Sequence, residues 1–311
     1  MSINEVSYTI EEVAALLKVS KLTVYDLIKK EELLSYRVGR QMRVEATDLE
    51  AYKEKNKNRG KAAKHSQPKM SSSENEIRTF VISGQDMALD ILAKQLEKEL
   101  TEIRPLRLYT GSLNSLISMY QDQCDLVSLH LFDGDTGTYN IPYVKKILTG
   151  SPFIVINFLS RWAGLYVKNG NPKGITGWSD LNRDDITIIN REKGSGARIL
   201  LDEQLRIHGI RGKEVNGYNI EETSHLTVAS AIAGEKADIG IGIEKAAKIV
   251  NIDFIPLIKE RYDLVLLKTE ENKELIQKIK KILTSDEIKK DIHSMGDYDI
   301  TEAGKVIFET F

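Results

Sequence analysis

The sequence predicts an α/β protein made of a small N-terminal helical unit with a β-hairpin and a larger α/β unit of two lobes. Three observations support this fold class. Residues 9–30 hold two short amphipathic segments separated by a tight turn, and residues 78–311 alternate short β-rich runs with helical segments. Within the second region, two apolar runs are long enough to pass from one lobe to the other.

Composition bounds the class of protein. The chain has 311 residues with 41% hydrophobic and 29% charged residues, which is typical of a globular protein of two or three folding units. No run approaches the roughly 20 apolar residues of a membrane span, and residues 1–5 lack the features of a secretory signal. The lone Cys124 cannot form an internal disulfide or a cysteine-based zinc site. We therefore expect a cytoplasmic location without membrane association.

Charge is distributed unevenly along the chain, whose net charge is −2. Residues 1–70 contain 14 basic and 10 acidic residues, a net charge of +4, whereas residues 71–311 contain 30 and 36, a net charge of −6. We call the basic region, residues 1–70, the head and the acidic region, residues 71–311, the body. This distribution is expected if only the head contacts nucleic-acid phosphate, although ordinary scatter can give a difference of this size.

Polarity suggests the domain boundaries. Residues 1–54 are patterned, and residues 55–77 are polar with Gly, Pro and a Ser run, so they are predicted to be a flexible linker. Residues 78–311 would form the two-lobed unit. Its first lobe is expected at about 78–158 and 264–311, and its second at about 163–258.

The head contains a predicted helix-turn-helix. Residues 8–17 form an amphipathic helix with a capping box of Thr9 and Glu12, and Ser20 caps a second helix over 21–30. The predicted small core consists of Val13, Leu16, Val19, Val24, Leu27 and Ile28. The predicted outward-facing residues of the second helix are Lys21, Thr23, Tyr25 and Lys29.

A β-hairpin over 35–44 follows, with Gly39 at its turn, and a third helix is predicted over 46–52. Arg37, Arg40 and Arg43 would line this hairpin as a cationic wing, which can hold a phosphate backbone or enter the minor groove.

Residues 8–53 resemble the excisionase-type helix-turn-helix family. The residues that carry the resemblance are 9–14 (TIEEVA), 19–25 (VSKLTVY), 37–40 (RVGR) and Arg43. The resemblance implies a winged helix-turn-helix that binds double-stranded DNA, with Lys21, Thr23 and Tyr25 nearest the bases and the three wing arginines on the backbone. The alternative is that these charges form only a solvated face.

Four loops in the body have the residue types that suit an anion site at the start of a helix. Small or hydroxyl residues stand between a predicted strand and a predicted helix in four loops, at 83–85, 110–112, 194–196 and 223–225. A helix N-terminus carries unsatisfied N–H groups and a positive partial charge, so it attracts anions. In open parallel sheets such loops gather at one edge, which predicts a shared anion pocket.

The remaining runs predict a hinge. The segment 153–158 leads through 160–162 into 164–167, and the segment 254–257 leads through 260–262 into 263–267. Two antiparallel crossovers of this kind would let the lobes close around a ligand.

Residues 78–300 resemble the periplasmic-binding-protein-like domain of intracellular regulators related to molybdate-binding proteins. The matching runs are TGSL at 110–113, HLFD at 130–133, TGTYN at 136–140, NGNPKGI at 169–175, NREKGSGAR at 190–198, TSHL at 223–226, residues 228–229 and ERYDL at 260–264. The resemblance implies a type II two-lobed fold and a small oxyanion ligand such as molybdate or tungstate. The ligand candidates it implies are Ser83, Ser112, Arg191, Ser195, Thr223, His225 and Tyr262.

Other interpretations remain open. If Arg191, Arg198 and His225 face the cleft, an organic carboxylate or phosphate is as plausible a ligand, and the two arginines could instead form interlobe salt bridges. A catalytic triad of Ser195, His225 and Asp263 can be imagined, but the chain lacks a G-x-S-x-G elbow, a P-loop and metal-ligand spacing. We therefore expect no catalytic residues, no metal and no cofactor.

The arrangement predicts a ligand-responsive DNA-binding transcription regulator. Because a head of this size reads one half-site weakly, we expect a homodimer or a higher homo-oligomer. A further alternative is an excisionase-like architectural DNA-binding protein whose body serves only to oligomerise.

Overall fold

A computed structural model describes residues 7–17, 19, 21–29, 33–38, 41–59 and 77–311. The chain divides into two compact units, Met1–Glu74 and Asn75–Phe311. Each unit has its own hydrophobic core, as the two predicted regions require.

The first unit combines three helices with a small antiparallel sheet. Its elements are β1 Ser7–Thr9, α1 Ile10–Leu17, α2 Lys21–Lys29, β2 Tyr36–Val38, β3 Gln41–Glu45 and α3 Ala46–Arg59. The strand order is β1-β3-β2. The predicted capping box is confirmed, because Thr9 N donates to Glu12 Oε2 at 2.8 Å and Glu12 N donates to Thr9 Oγ1 at 3.3 Å.

The core of this unit contains a different set of helical residues from the predicted one. Val13 and Val24 are buried and Leu27 and Ile28 are partly buried, as expected. The prediction was wrong for Leu16 and Val19, which are exposed. The buried stripe of α1 instead follows Ile10, Val13, Ala14 and Leu17, the spacing of one helix face, and Leu33, Val44 and Leu49 complete the core. The third helix also runs to Arg59, beyond its predicted end at residue 52, so the predicted linker 55–77 was wrong for residues 55–59, and residues 60–76 of it lie outside the described residues.

The second unit is built around one nine-stranded sheet with the order β11-β10-β12-β9-β13-β6-β4-β5, and β14 also pairs with β9. The strands are β4 Arg78–Ser83, β5 Ile103–Leu108, β6 Leu126–Leu129, β7 Phe132–Asp133, β8 Thr138–Tyr139, β9 Phe153–Val167, β10 Ile188–Arg191, β11 Glu221–Glu222, β12 Ile239–Ile243, β13 Asp253–Leu267 and β14 Val306–Glu309. Strands β7 and β8 form a separate pair.

Helices cover the sheet as the alternation of strands and helices predicts. They are α4 Ala88–Glu99, α5 Ser112–Tyr120, α6 Ile141–Ile147, α7 Gly196–Ile207, α8 His225–Ala233, α9 Glu244–Val250, α10 Lys273–Thr284 and α11 Asp286–Ser294. The flanks of the sheet are parallel, since β4 pairs with β5 and β6, and β10 pairs with β11 and β12. Its centre is antiparallel.

That centre is the pair β9 and β13. The two strands run antiparallel from Asp253 opposite Val167 to Leu267 opposite Phe153, so each passes through both lobes. The predicted crossovers are confirmed, but each consists of one continuous strand. The pairing shifts register at two places in β13, Pro256/Ile258 and Tyr262/Asp263.

Apolar residues form separate clusters in the two lobes. In the first lobe, β4 and α4 pack with α10 and α11 around Phe80, Leu92 and Ile279. In the second lobe, β10, β12 and α7 pack around Ile188 and Leu201. The cleft between the lobes follows from this division, because each lobe buries its own apolar surface.

The helices of the described residues include none that is both long and apolar enough to cross a membrane. Within the same residues, no group of three or more His, Cys, Asp or Glu side chains is placed to hold a metal ion.

Gly164 allows a close approach between β9 and β13, and its replacement tests the crossover. A Cβ at this position would lie 1.9 Å from the backbone oxygen of Ile255. We expect Gly164→Ala to lower the free energy of unfolding by about 1–3 kcal/mol, the usual cost of overpacking, in urea denaturation. The matched control is Gly177→Ala, where the added Cβ meets nothing within 4 Å. Equal stability of the two variants would contradict this placement of the strands.

Candidate functional site

The surface of α2 carries three of the residues predicted to read DNA. Lys21, Thr23 and Tyr25 are exposed, and the ammonium group of Lys21 lies 2.6 Å from Glu11 Oε1. The side chain of Lys29 and all of Arg40, Gly39 and Ser20 lie outside the described residues. The second helix therefore presents a polar face in the way that a recognition helix does.

The β2–β3 hairpin separates two of the wing arginines. In its register Tyr36 lies opposite Arg43 and Arg37 lies opposite Met42, so Arg37 and Arg43 point to opposite faces. Arg37 is exposed. Arg43 is partly buried and donates to Ser7 Oγ at 3.2 Å, which fastens β3 to β1. Arg37 and Arg43 therefore lie on opposite faces of the hairpin, and their contact with DNA stays a prediction.

The second unit has a cavity of about 710 Å³ in the cleft between its lobes. Both lobes and both crossing strands contribute to its walls. The lining residues are Gln85, Asp86, Met87, Tyr109, Thr110, Gly111, Asn114, His130, Arg161, Glu192, Thr223, Ser224, His225, Leu226, Ile243, Lys245, Ala246, Ile249, Tyr262 and Tyr298.

Three of the predicted ligand residues, Thr223, His225 and Tyr262, line this cavity. The first two belong to the start of α8, and Tyr262 lies on β13. Three of the four predicted loops, at 83–85, 110–112 and 223–225, thus place residues on the wall, the first two from one lobe and the third from the other.

The predicted serines lie behind the wall. Ser83, Ser112 and Ser195 are buried and none of them lines the cavity. The Oγ of Ser83 lies 2.7 Å from Thr110 Oγ1 and 2.8 Å from Ser115 Oγ, and Ser112 Oγ accepts from His130 N at 3.4 Å. These three hydroxyls therefore do not converge on the cavity, and their role as ligand contacts stays a prediction.

The physical reason is that these hydroxyls and helix N-termini form hydrogen bonds within the protein. Ser195 caps α7, accepting from Arg198 N at 3.2 Å and donating to Glu192 O at 2.9 Å. Leu113 N, in the first turn of α5, donates to Gly194 O at 2.9 Å, so the two loops close on each other across the cleft.

The predicted arginines form ion pairs inside the second lobe. Arg191 is buried and its Nε donates to Glu192 at 2.7 Å, while its Nη2 donates across the cleft to Gln85 Oε1 at 2.6 Å. Arg198 pairs with Glu221 at 2.7 Å and with Asp202 at 3.1 Å. The alternative of interlobe salt bridges is therefore wrong for both arginines, and the contact across the cleft is the hydrogen bond of Arg191 to Gln85.

A buried ionic group that no sequence motif predicts lies at the floor of the cavity, where Asp86, His130 and Arg161 line it. Arg161 on β9 donates through Nε to Glu260 Oε1 on β13 at 2.5 Å and through Nη1 to Asp86. His130 Nδ1 lies 3.1 Å from Glu260 Oε2. Burial alone would raise the pKa of Glu260, but His130 and Arg161 lower this pKa to about 2. In the sequence, the feature that could have identified Arg161 and Glu260 is their position within the two predicted crossovers.

Tyr262 is fixed above this floor. Its hydroxyl accepts from Ser128 Oγ at 2.8 Å and from Asp86 N at 3.3 Å, and the guanidinium carbon of Arg161 lies 4.7 Å from the centre of its ring. Burial raises the pKa of Tyr262 to about 12, so its hydroxyl stays neutral.

His225 offers an unpaired polar atom at the wall. Its Nδ1 is buried and has no hydrogen-bond partner among the described residues. Burial and the nearby Arg191 hold the pKa of His225 well below its usual value, so the ring is neutral at pH 7. A buried polar atom without a partner is costly, and a ligand that hydrogen-bonds to it would remove this cost.

The imagined catalytic triad is not assembled. Ser195 is engaged as the cap of α7, and Asp263 accepts from Asn140 at 2.8 Å, Asn157 at 3.1 Å and Arg261 at 2.7 Å. Ser195 and Asp263 thus have partners other than His225.

Removing the central cation tests the ionic floor. Arg161→Met would leave Asp86 and Glu260 buried without their positive partner, so we expect the free energy of unfolding at pH 7 to fall by about 3–5 kcal/mol. In the unmodified protein the folded pKa of Glu260, about 2, lies below its ordinary 4.5, so this stabilisation is complete above pH 4.5 and is lost as the pH falls toward 2. The difference between variant and protein should shrink over the same interval in urea titrations.

The matched control is Arg211→Met, which breaks an exposed ion pair with Glu214 and should change stability little at any pH. A stability difference for Arg161→Met that does not depend on pH would argue against the ionic floor.

Two family models match the chain. A model described as a PBP superfamily domain matches residues 93–284, and a model described as a helix-turn-helix domain matches residues 7–57. The uncharacterized protein YvgK of Bacillus subtilis is 55% identical over 306 residues, which are 98% of this chain and 98% of that protein.

Solved structures show the same fold at low sequence identity. The tungstate ABC transporter from Geobacter sulfurreducens has a TM-score of 0.52 and 14% identity over 70% of this chain and 98% of its own. An OxyR variant with bound H2O2 from Corynebacterium glutamicum has a TM-score of 0.52 and 12% identity over 92% of this chain and 89% of its own. The protein therefore belongs to the PBP superfamily and, together with YvgK, to a family that joins this domain to an N-terminal helix-turn-helix domain.

Proposed function

We propose that this protein is a cytoplasmic transcription regulator whose affinity for DNA is set by a small anionic ligand bound in the interlobe cleft. The observation that carries the proposal is the presence in one chain of a helix-turn-helix unit and a two-lobed unit with a cavity walled by both lobes. We also propose that the cleft binds its ligand without catalysing a reaction, since the two matching family models describe a helix-turn-helix domain and a PBP superfamily domain.

Molybdate or tungstate is the first candidate ligand. The starts of α5 and α8 face the cavity from opposite lobes, and helix N-termini favour anions. A tungstate transporter is among the proteins that share the fold. In this proposal Thr223, His225 and Tyr262 contact the anion, while Ser83, Ser112, Arg191 and Ser195 support the wall behind them.

An organic carboxylate or phosphate is the second candidate. A cavity of about 710 Å³ falls in the range of roughly 300–1,000 Å³ that is usual for pockets holding organic ligands. The size of the cavity thus favours a ligand with more atoms than an inorganic oxyanion.

The coupling between ligand and DNA would act through lobe closure. Gln85 Nε2 donates to Glu192 at 3.3 Å and Gly134 N donates to Glu203 at 2.8 Å, so ligand-dependent closure has interlobe contacts to make and break. In a homodimer or higher homo-oligomer, closure would change the spacing of the DNA-reading units. Linkage then requires DNA to change ligand affinity by the same factor.

Arg37 provides the test of DNA binding. We expect Arg37→Ala to weaken binding to a duplex selected from a random pool by this protein, because the exposed guanidinium is placed to meet a phosphate. The slope of log affinity against log salt is negative and should become less negative by about 0.9 for one lost phosphate contact. Lys278→Ala in the second unit removes one exposed positive charge as a control and should leave affinity and slope unchanged. Identical slopes for the two variants would contradict a phosphate contact at Arg37.

Calorimetry on the full chain tests the ligand response. We expect an anion that binds the protein to change the affinity for the selected duplex, and His225→Phe to lower anion affinity about tenfold, because Phe keeps the ring but removes the unpaired nitrogen. DNA affinity without ligand should be the same in protein and variant. An architectural DNA-binding protein would instead hold its duplex equally well with and without any bound anion.

A further inference from the structure

Apolar side chains surround the mouth of the cleft from both sides. Met87 and Tyr109 on the first lobe and Leu226 and Ile249 on the second all line the cavity, and all four are exposed, Tyr109 at 61% and Ile249 at 59%. Single exposed apolar residues are ordinary, but a cluster of them around one opening marks a surface that something apolar covers. Because the four residues come from two lobes, a ligand body held between the lobes can cover all of them.

The charged groups of the cavity leave one cation without a carboxylate partner. Asp86 is paired with Arg161, and Glu192 with Arg191. Among the described residues that line the cavity, Lys245 is the cation whose contacts are neutral: its Nζ donates to Met295 O and lies 5.3 Å from the centre of the Tyr298 ring. A negative group of a ligand would find its complement at Lys245.

A hydrogen-bonding position lies on the same wall. His225 at the start of α8 keeps a buried Nδ1 without a partner, and the start of α5 faces it from the other lobe. A ligand that spans the cavity can therefore meet polar groups in its interior and apolar groups at its mouth.

From this arrangement we infer that the ligand is an organic anion: a carboxylate or phosphate group held near Lys245 and the helix starts, joined to an apolar body of ring size that packs between Met87 and Tyr109 on one lobe and Leu226 and Ile249 on the other. The inference rests on the proposed function, since it names the ligand class of the same cleft. It also names a closing device, because the apolar body would draw the two lobes together.

A bare inorganic oxyanion satisfies less of the site. Such an ion has about five heavy atoms, far fewer than the drug-sized ligands that fill pockets of roughly 300–1,000 Å³. It would leave the apolar mouth in contact with water. Burial of apolar surface contributes roughly 25 cal/mol per Å², so a ring between the lobes adds affinity that an inorganic ion lacks.

Matched probes test the inference on the full chain. We would measure binding of phenyl phosphate, inorganic phosphate, molybdate and tungstate by calorimetry. Phenyl phosphate differs from phosphate by one ring, and we expect it to bind about tenfold more tightly or better. The Lys245→Gln variant should lose affinity for phenyl phosphate and show a weaker dependence of that affinity on salt.

A pair of double variants separates the apolar mouth from general effects. Met87→Ser with Ile249→Ser removes one apolar side chain from each lobe at the mouth without a change of charge, and should lower phenyl phosphate affinity about tenfold while leaving phosphate affinity unchanged. The control is Leu106→Ser with Ile220→Ser, which also replaces one exposed apolar residue in each lobe but lies outside the cavity. It should bind phenyl phosphate as the unmodified protein does.

The outcomes distinguish the inference from the proposed function. Equal affinity for phenyl phosphate and phosphate, or molybdate or tungstate binding that exceeds phenyl phosphate binding and is indifferent to the mouth variant, overturns the organic ligand while leaving a regulator that senses an inorganic ion. Tight, mouth-dependent binding of phenyl phosphate supports the organic ligand. If that binding leaves DNA affinity unchanged, the inference stands and the regulatory function fails.

Discussion

The antiparallel pairing of β9 with β13 is the constraint on which the second unit depends. These two strands of 15 residues pass through both lobes, so each lobe builds its own core on one half of the same ribbon. A cleft then has to open beside the middle of the ribbon. At that midpoint Arg161 lines the cavity and pairs with Glu260 on the neighbouring strand, so the crossing strands also supply part of the cavity wall.

Charge at this midpoint is buried, and its pairing decides what the site can bind. Arg161 lies between Asp86 and Glu260, and removing it would leave two carboxylates without a cation. Because its strong donors already have acidic partners, Arg161 is poorly placed to take a second anion. In the proposed function, recognition therefore falls to groups with fewer partners in the fold, such as His225 and Lys245. In the same proposal the apolar mouth adds contacts with the uncharged part of the ligand.

Helix starts illustrate a competition between folding and binding. A hydroxyl at a helix start can cap its own helix or contact a ligand, and the sequence pattern is the same for both uses. Ser195 caps α7 and Ser83 joins Thr110 and Ser115, whereas the loop at 223–225 keeps His225 at the cavity wall. In the first unit the same competition appears at Arg43, which fastens β3 to β1. Local motifs thus mark positions of possible contact, and packing selects among them.

The sequence by itself determined the division into two units, the helix-turn-helix with its Thr9–Glu12 cap, the alternation of strands and helices and the two crossovers, because these features rest on local periodicity and capping. It also placed Thr223, His225 and Tyr262 in the cleft. Only the tertiary structure decided that Arg161 meets Asp86 and Glu260, residues 75 and 99 positions away, and that Ser83, Ser112 and Ser195 turn behind the wall. Ion pairs between distant segments and the burial of a side chain depend on how the lobes pack, and no local pattern carries that information.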